Sequence, residues 1–190
     1  MNCCENEPEF LCSAQVGQRA PDFCVPAWDP TDPQNMEKKI CLADFKGKWL
    51  WLFFYPLDFT FVCPTELVKM GELKKDFEAL GCEILGASTD SVFSHQAWAK
   101  HDPRISKIPF PILSDMNHDL SYDFGVLHPD GVSLRGAFLI DPDGILQSAT
   151  INNLPVGRNP EELLRTLKAF QTGDLCPVNW NEGKKTLGKA

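Results

Sequence analysis

The 190-residue sequence lacks the features that mark four classes of protein: membrane-spanning, nucleic-acid-binding, secreted and N-myristoylated. It has no apolar run near the roughly 20 residues of a membrane-spanning helix, and its strongest run covers only residues 49–55. It has no basic excess, because the net charge is −8, so no nucleic-acid partner is expected. The N-terminus has neither the basic and apolar regions of a secretory signal nor a glycine at position 2. We therefore expect a cytoplasmic protein without a membrane partner.

Eight cysteines occur, but their spacing excludes two common uses of cysteine. There is no C-x-x-C motif and no paired C-x₂₋₄-C set, so we expect neither a thioredoxin-type dithiol nor a structural zinc site. The absence of an export signal argues against a disulfide framework. Most of the cysteines should be small buried hydrophobic residues, and we assign this structural role to Cys24, Cys41 and Cys82.

What the sequence contains is an alternation of strand and helix patterns. Strands are predicted at residues 49–55, 83–87, 110–113, 134–140 and 145–151. Amphipathic periodicity and turn signals predict helices at residues 64–80, 91–100, 117–124 and 160–170. Residues 26–39, which are interrupted by three prolines, are predicted to be a loop. The order of elements indicates an α/β fold with a mixed central sheet flanked by helices, followed by a polar C-terminal arm.

The stretch "FFYPLDFTFVCPTE" distinguishes Cys63 from the other cysteines. Pro64 suits the first position of a helix, so Cys63 lies at or beside the N-cap, where free N–H groups and the helix dipole stabilise an anion. Thr60 could donate a hydrogen bond to a thiolate or to an incoming oxygen. Pro56 would fix the backbone and shield the sulfur from water. On these residues alone, a buried inert cysteine is an equal alternative.

A fast reaction at such a cysteine needs more than a thiolate. A lower thiol pKa raises the thiolate fraction but weakens the nucleophile, with a Brønsted slope of about 0.4–0.5, so the net gain is only a few-fold. Nearby donors must then stabilise the transition state. Arg135 and Arg158 are candidates, although a surface position is the simpler interpretation of either residue alone. The four histidines lack metal-ligand spacing, and a Cys–His hydrolase is a weaker alternative.

These motifs resemble the peroxiredoxin family, and within it the typical two-cysteine branch that includes the peroxidase component of bacterial alkyl hydroperoxide reductase. The P-x-x-x-T-x-x-C pattern is matched by Pro56, Thr60 and Cys63, and the resemblance continues through "LRGAFLIDPDG" and "CPVNW" over roughly residues 16–185. It implies a thioredoxin-like fold. Together with the sequence pattern, it divides the chain into a loose N-terminal arm (1–15), a peroxidase domain (16–171) and a C-terminal arm that carries the resolving cysteine (172–190).

The resemblance also implies a role for each matched residue. Cys63 matches the peroxidatic cysteine, and Arg135 matches the arginine that contacts the thiolate and the peroxide. Cys176 matches the resolving cysteine, which in this family comes from the partner subunit. The supporting positions of the motif are filled by Pro56, Thr60, Glu66 and Arg158.

The activity that the resemblance implies is thiol-dependent reduction of hydrogen peroxide and organic hydroperoxides. Cys63 would become a sulfenic acid, Cys176 would convert it to a disulfide, and a thioredoxin-like or other dithiol reductant would regenerate both thiols. No metal, haem or flavin cofactor is expected. A homodimer, assembled into a decamer, is implied as well. A ring-forming holdase chaperone with vestigial thiols is the structural alternative.

Two features depart from the family pattern. Eukaryotic members that are prone to over-oxidation carry a glycine-rich insertion and a C-terminal Tyr-Phe pair, whereas residues 101–108 here contain no glycine and the sequence has no such pair. We therefore expect resistance to over-oxidation of Cys63, because nothing would hold its helix folded. Cys3, Cys4 and Cys12 are not predicted by the family. We interpret them as part of a flexible reducible arm, with a regulatory thiol or an anchor as the alternatives.

Overall fold

A mixed seven-stranded sheet forms the centre of the fold in a computed structural model, which describes residues 14–189. The strands are β1 (Cys24–Trp28), β2 (Lys39–Cys41), β3 (Trp49–Phe54), β4 (Cys82–Ser88), β5 (Ile112–Ser114), β6 (Arg135–Ile140) and β7 (Leu146–Asn152). The helices are α1 (Cys63–Glu72), α2 (Lys74–Ala79), α3 (Val92–His101), α4 (Asp119–Asp123) and α5 (Pro160–Gln171), with short 3₁₀ turns at Leu42–Phe45 and Ile105–Lys107.

The strand order across the sheet is β2-β1-β5-β4-β3-β6-β7. The three central strands β5, β4 and β3 run parallel, and every other neighbouring pair is antiparallel. Parallel strands must be joined by crossover connections, which here contain α1 and α2 between β3 and β4, and α3 between β4 and β5. The predicted α/β class with a mixed sheet is confirmed.

Strand β3 is buried on both faces, which explains why its sequence is apolar without alternation. Trp51 and Phe53 point to the core cluster that includes residues of α1, α2, α3 and α5. Leu52 and Phe54 point to the opposite cluster, which includes residues of α4. The strand therefore lies in the middle layer of a three-layer fold, and its C-terminal end opens directly into the loop before Cys63.

The helix predicted over residues 64–80 is two helices. α1 ends at Glu72, and α2 begins at Lys74 after Leu73, whose backbone N–H bonds to Lys69 O. Apolar side chains continue across this break, so periodicity alone could not locate it. α2 ends at Ala79, one residue before the predicted end at residue 80, and Gly81 follows with a φ of +65°, a conformation that other residues adopt only with strain.

Two predictions for residues 24–41 are wrong. The region predicted as a loop begins and ends in the paired strands β1 and β2, which Pro26 tolerates because the neighbouring backbone bond is donated by Ala27 N–H to Lys38 O. Cys24 and Cys41 stand opposite each other and form a disulfide, and Cys24 is exposed. They are not buried thiols, whereas Cys82 is buried as predicted.

The two predicted arms differ in how much of them can be described. Residues 172–189 contain no helix or strand, and Trp180 fastens this segment to α5 because its carbonyl accepts a hydrogen bond from Arg165 Nη1 at 2.8 Å. Most of the predicted arm 1–15, with Cys3, Cys4 and Cys12, lies outside the described residues. The domain boundaries stay a prediction. Between residues 14 and 189, no helix has both the length and the apolar character needed to cross a bilayer.

Candidate functional site

The site lies where β3 leads into α1. The chain leaves the sheet after Phe54 and turns through residues 55–62, with Phe59 in the left-handed region at φ 56°. Cys63 is the first residue of α1, after Val62 as N-cap, and Pro64 follows it at N2. The Cys63 side chain is completely buried. The sulfur therefore lies at the positive end of a helix dipole and away from solvent.

Arg135 brings a guanidinium group to this sulfur. It begins β6, which pairs with β3 in an antiparallel register, and its side chain is almost completely buried. Arg135 Nη1 lies 3.5 Å from Cys63 Sγ. Arg135 Nε donates to Leu154 O at 2.6 Å, which fixes the plane of the guanidinium. A planar group anchored at one edge can present its remaining N–H donors in a fixed direction.

Glu66 connects Arg135 to a second arginine. It lies one turn after Cys63, and its Oε2 accepts from Arg135 Nη1 at 2.6 Å. Its Oε1 accepts from both Nε and the backbone N–H of Arg158 at 2.8 Å. Burial opposes ionisation of this carboxyl, but hydrogen bonds from Arg158 and the nearby positive charges outweigh it, so the pKa of Glu66 is lowered.

The charges of this cluster do not balance without the sulfur. Two buried guanidinium groups, those of Arg135 and Arg158, share the single carboxylate of Glu66. One positive charge is left over beside Cys63, and buried charges require partners. A Cys63 thiolate would supply the missing negative charge. Arg158 is held further by the ring of Phe53, whose centroid lies 5.4 Å from its guanidinium carbon.

The remaining residues that the resemblance assigns to the reaction are Pro56, Thr60 and Cys176. Pro56 is buried directly after Tyr55. Thr60 Oγ1 donates to Leu57 O at 2.9 Å, and within the described part of the chain no hydrogen bond joins it to Cys63. Cys176 is a half-buried free thiol whose Sγ lies 3.6 Å from Ala169 O in α5. Cys63 and Cys176 of one chain are therefore not bonded to each other.

The loop that precedes Cys63 contains a buried polar network that the sequence analysis does not predict. Asp58 accepts from Tyr55 Oη and Ser94 Oγ at 2.8 Å, and its Oδ2 lies 2.9 Å from His95 Nδ1. Its backbone N–H donates to Asp90 Oδ2 at 2.9 Å. Burial, with the Asp58 charge, raises the pKa of Tyr55 well above its usual value, so the phenol stays a donor. The network ties the loop before Cys63 to α3 and to the turn between β4 and α3.

The sequence carries only a faint signal of this network, namely an aspartate inside the apolar run "YPLDF" and a histidine in "SHQAW". Their pairing joins residues 37 positions apart, which only the tertiary structure can bring together. His95 is therefore a structural partner of Asp58. Among residues 14–189, no cluster of three or more potential ligands could hold a metal ion.

Known proteins resemble this chain in sequence and in fold over most of its length. The model of the AhpC/TSA family matches residues 16–149. The chain is 45% identical to peroxiredoxin-2 of Mus musculus over 184 residues, covering 92% of this chain and 90% of the relative. It is 47% identical to a mitochondrial thioredoxin-dependent peroxide reductase of Drosophila melanogaster, covering 90% and 75%. The crystal structure of a reduced 2-Cys peroxiredoxin of Plasmodium vivax matches with a TM-score of 0.85 at 40% identity, covering 90% and 91%.

Proposed function

This chain belongs to the AhpC/TSA family as a typical two-cysteine peroxiredoxin with a thioredoxin-like fold, and we propose that it reduces hydrogen peroxide and organic hydroperoxides through Cys63 and Cys176. The observation that supports this assignment most directly is the contact between the buried Cys63 sulfur and Arg135, 3.5 Å apart. It supplies the cationic donor that a thiolate at a helix N-terminus still needs for fast chemistry.

In the first step, the Cys63 thiolate attacks one oxygen of the peroxide. The O–O bond breaks, the sulfur is oxidised to a sulfenic acid, and the leaving oxygen takes up a proton as water or an alcohol. Arg135 stabilises the charge that moves onto the leaving oxygen, and its link to Glu66 keeps the guanidinium in place. Arg158 supports that link from the other side of the carboxylate.

Thr60 and Pro56 have supporting parts in this proposal. The Thr60 hydroxyl, which donates to Leu57 O, turns to donate to the peroxide when it binds. Pro56 is buried and has no N–H, so it excludes water without competing for the oxygens. The Asp58 network positions both residues by holding the loop between β3 and α1.

In the second step, Cys176 of the partner subunit condenses with the sulfenic acid. A disulfide forms, and one molecule of water leaves with the hydroxyl of the sulfenic acid and the thiol proton. Because Cys63 is completely buried at the start of α1, the first turn of this helix must open before the sulfurs can meet. A thioredoxin-like dithiol then reduces the disulfide by two exchange reactions and is itself oxidised.

The proposal includes a homodimer, assembled further into a decamer. β7 is the outermost strand at one side of the sheet, and its sequence LQSATIN has neither a charge nor a proline to protect the edge. Exposed Phe59 and Phe61 lie in the loop before Cys63 and offer a second apolar contact.

We propose the cytoplasm as the location, because the cycle needs a compartment that keeps Cys63 and Cys176 reduced.

The test is non-reducing electrophoresis after one equivalent of hydrogen peroxide. We expect a covalent dimer for the wild type and for the control variant Cys82→Ser, which alters a buried thiol with a pKa raised to about 12. We expect none for Cys176→Ser, and no peroxide consumption for Cys63→Ser. Continued consumption by Cys63→Ser would reject the assignment. A protein that only prevents aggregation of other proteins would behave alike with and without Cys63, which separates the holdase alternative.

A further inference from the structure

The disulfide between Cys24 and Cys41 has no part in the proposed peroxidase cycle. It joins two outer strands, whereas Cys63 and Cys176 lie at α1 and beyond α5. The other described cysteines, Cys63, Cys82 and Cys176, are free thiols.

Both sulfurs lie on the solvent side of the β1–β2 pair. Along β1 and β2, Ile40 is buried in the core and its partner Val25 packs against the same cluster, so the alternate residues point outward. Cys24 is exposed, Cys41 is half-buried, and the neighbouring pair on the same face, Pro26 and Lys39, is exposed. Dissolved thiols and disulfides can therefore reach this pair, in contrast to the buried Cys82.

Contacts other than the disulfide also hold Cys24 opposite Cys41. The backbone N–H of Leu42 donates to Phe23 O at 3.0 Å on one side of the pair, and that of Ala27 donates to Lys38 O at 2.9 Å on the other. β1 is also paired with β5, and the loop between the strands is fastened to α3 by Gln96 Nε2, which donates to Pro33 O at 2.6 Å. After reduction, the thiols would remain side by side at a high effective concentration.

We propose that Cys24 and Cys41 form a second redox site, a dithiol that opens and closes reversibly by exchange with small disulfides and dithiols, independently of Cys63. In oxidation, the thiolate of the more exposed Cys24 attacks a small disulfide RSSR and releases one thiolate RS⁻. The Cys41 thiolate then attacks the Cys24 sulfur and releases the second RS⁻. The two thiol protons pass to these products, so two RSH form while the protein loses two electrons. A dithiol reverses both steps.

The sequence allows the pair to be measured separately from every other cysteine. Trypsin, which cuts after lysine and arginine, releases Cys24 in peptide 20–38 and Cys41 in peptide 40–46, while Cys3, Cys4 and Cys12 stay in peptide 1–19. The full chain is equilibrated in buffers of reduced and oxidised glutathione, alkylated and digested, and the linked pair 20–38 with 40–46 is quantified by mass spectrometry. Cys63→Ser is measured in parallel, with Cys82→Ser as a matched control.

The expected result is a linked-to-free ratio that rises about tenfold for each tenfold rise in [GSSG]/[GSH]², as for any two-electron couple. The same curve is expected in Cys63→Ser, so failure of the proposed peroxidase cycle would not affect it. With Cys41→Ser, Cys24 should acquire glutathione, and it should do so more than Cys41 does in Cys24→Ser. Alkylated thiols in every buffer, a link that dithiothreitol cannot open in the native protein, or linkage to peptide 1–19 instead would each overturn the proposal.

Discussion

At the scale of single residues, the site depends on the shape of a guanidinium and not only on its charge. Arg135 donates to Leu154 O through Nε while Nη1 reaches both Glu66 and Cys63. A lysine ammonium carries the same charge but cannot hold three such partners in one plane. A lysine at position 135 would therefore keep the buried positive charge but lose the fixed direction of the N–H donors.

We therefore predict that Arg135→Lys lowers kcat/KM for hydrogen peroxide by about 100-fold, the scale expected when one donor to a developing oxyanion is removed. Stopped-flow measurement of peroxide reduction checks this value. Arg104→Lys is the matched control, because Arg104 is exposed and pairs with Asp102 outside the site. If Arg135→Lys stayed within two-fold of Arg104→Lys, the positive charge alone would suffice and the geometric account would be wrong.

At the scale of elements, the loop between β3 and α1 is held by buried polar groups as well as by apolar packing. Asp58 has four hydrogen-bond partners from Tyr55, Ser94, His95 and Asp90, all of them outside α1. Removing one donor from a buried carboxylate lowers the free energy of unfolding by more than the hydrogen bond itself contributes, because the remaining charge is less well solvated. The conformation of the loop should therefore respond to the loss of one hydroxyl.

Tyr55→Phe removes that hydroxyl and little else. We predict that it lowers the free energy of unfolding by about 1–3 kcal/mol and slows peroxide reduction, since Pro56 and Thr60 lie on the loosened loop. Urea denaturation at fixed protein concentration measures the first effect. Tyr122→Phe is the control, because Tyr122 is the other tyrosine of the sequence and is exposed. Equal stability of the two variants would show that the Tyr55–Asp58 bond contributes nothing.

The elements also differ in how well the sequence predicts them. β3 and α5 are predicted to within one residue at each end, because a continuous apolar run and a proline at the helix start are local signals. The sequence does not predict the hairpin of β1 and β2, since the three prolines and the polar residues of 26–39 indicate a loop, and only pairing with β2 and β5 makes β1 a strand. Pairing across the sheet is not a local property.

The residues of the site also differ in how far the sequence predicts them. Cys63 and Pro64 identify the start of α1 locally, whereas a role for Arg135 came from the resemblance and not from its surroundings in the sequence. The distances to Cys63 and Glu66 depend on the register of β6 against β3, which the sequence alone does not provide. The partnership of Asp58 and His95 depends in turn on how α3 packs, so it was not predictable. The catalytic roles themselves stay a prediction.

At the scale of the whole molecule, the proposed cycle needs a second chain, because resolution is assigned to Cys176 of the partner. The edge of β7 is the surface that we assign to this contact. Ala149, Thr150 and Ile151 are exposed there, on a strand whose outer backbone groups face away from β6. A charged residue on an edge strand opposes pairing with another edge, because the charge would be buried without a partner.

Ile151→Lys should then separate the two steps of the cycle. We predict a monomer by sedimentation and no covalent dimer after peroxide. A sulfenic acid should still form at Cys63 and be trapped with dimedone, since the contacts of Arg135 with Cys63 and Glu66 form within one chain. Met116→Lys, at an equally apolar and more exposed position away from β7, should leave the dimer intact. A cross-linked dimer of Ile151→Lys would mean that the partner docks elsewhere, and that the unprotected edge of β7 has another explanation.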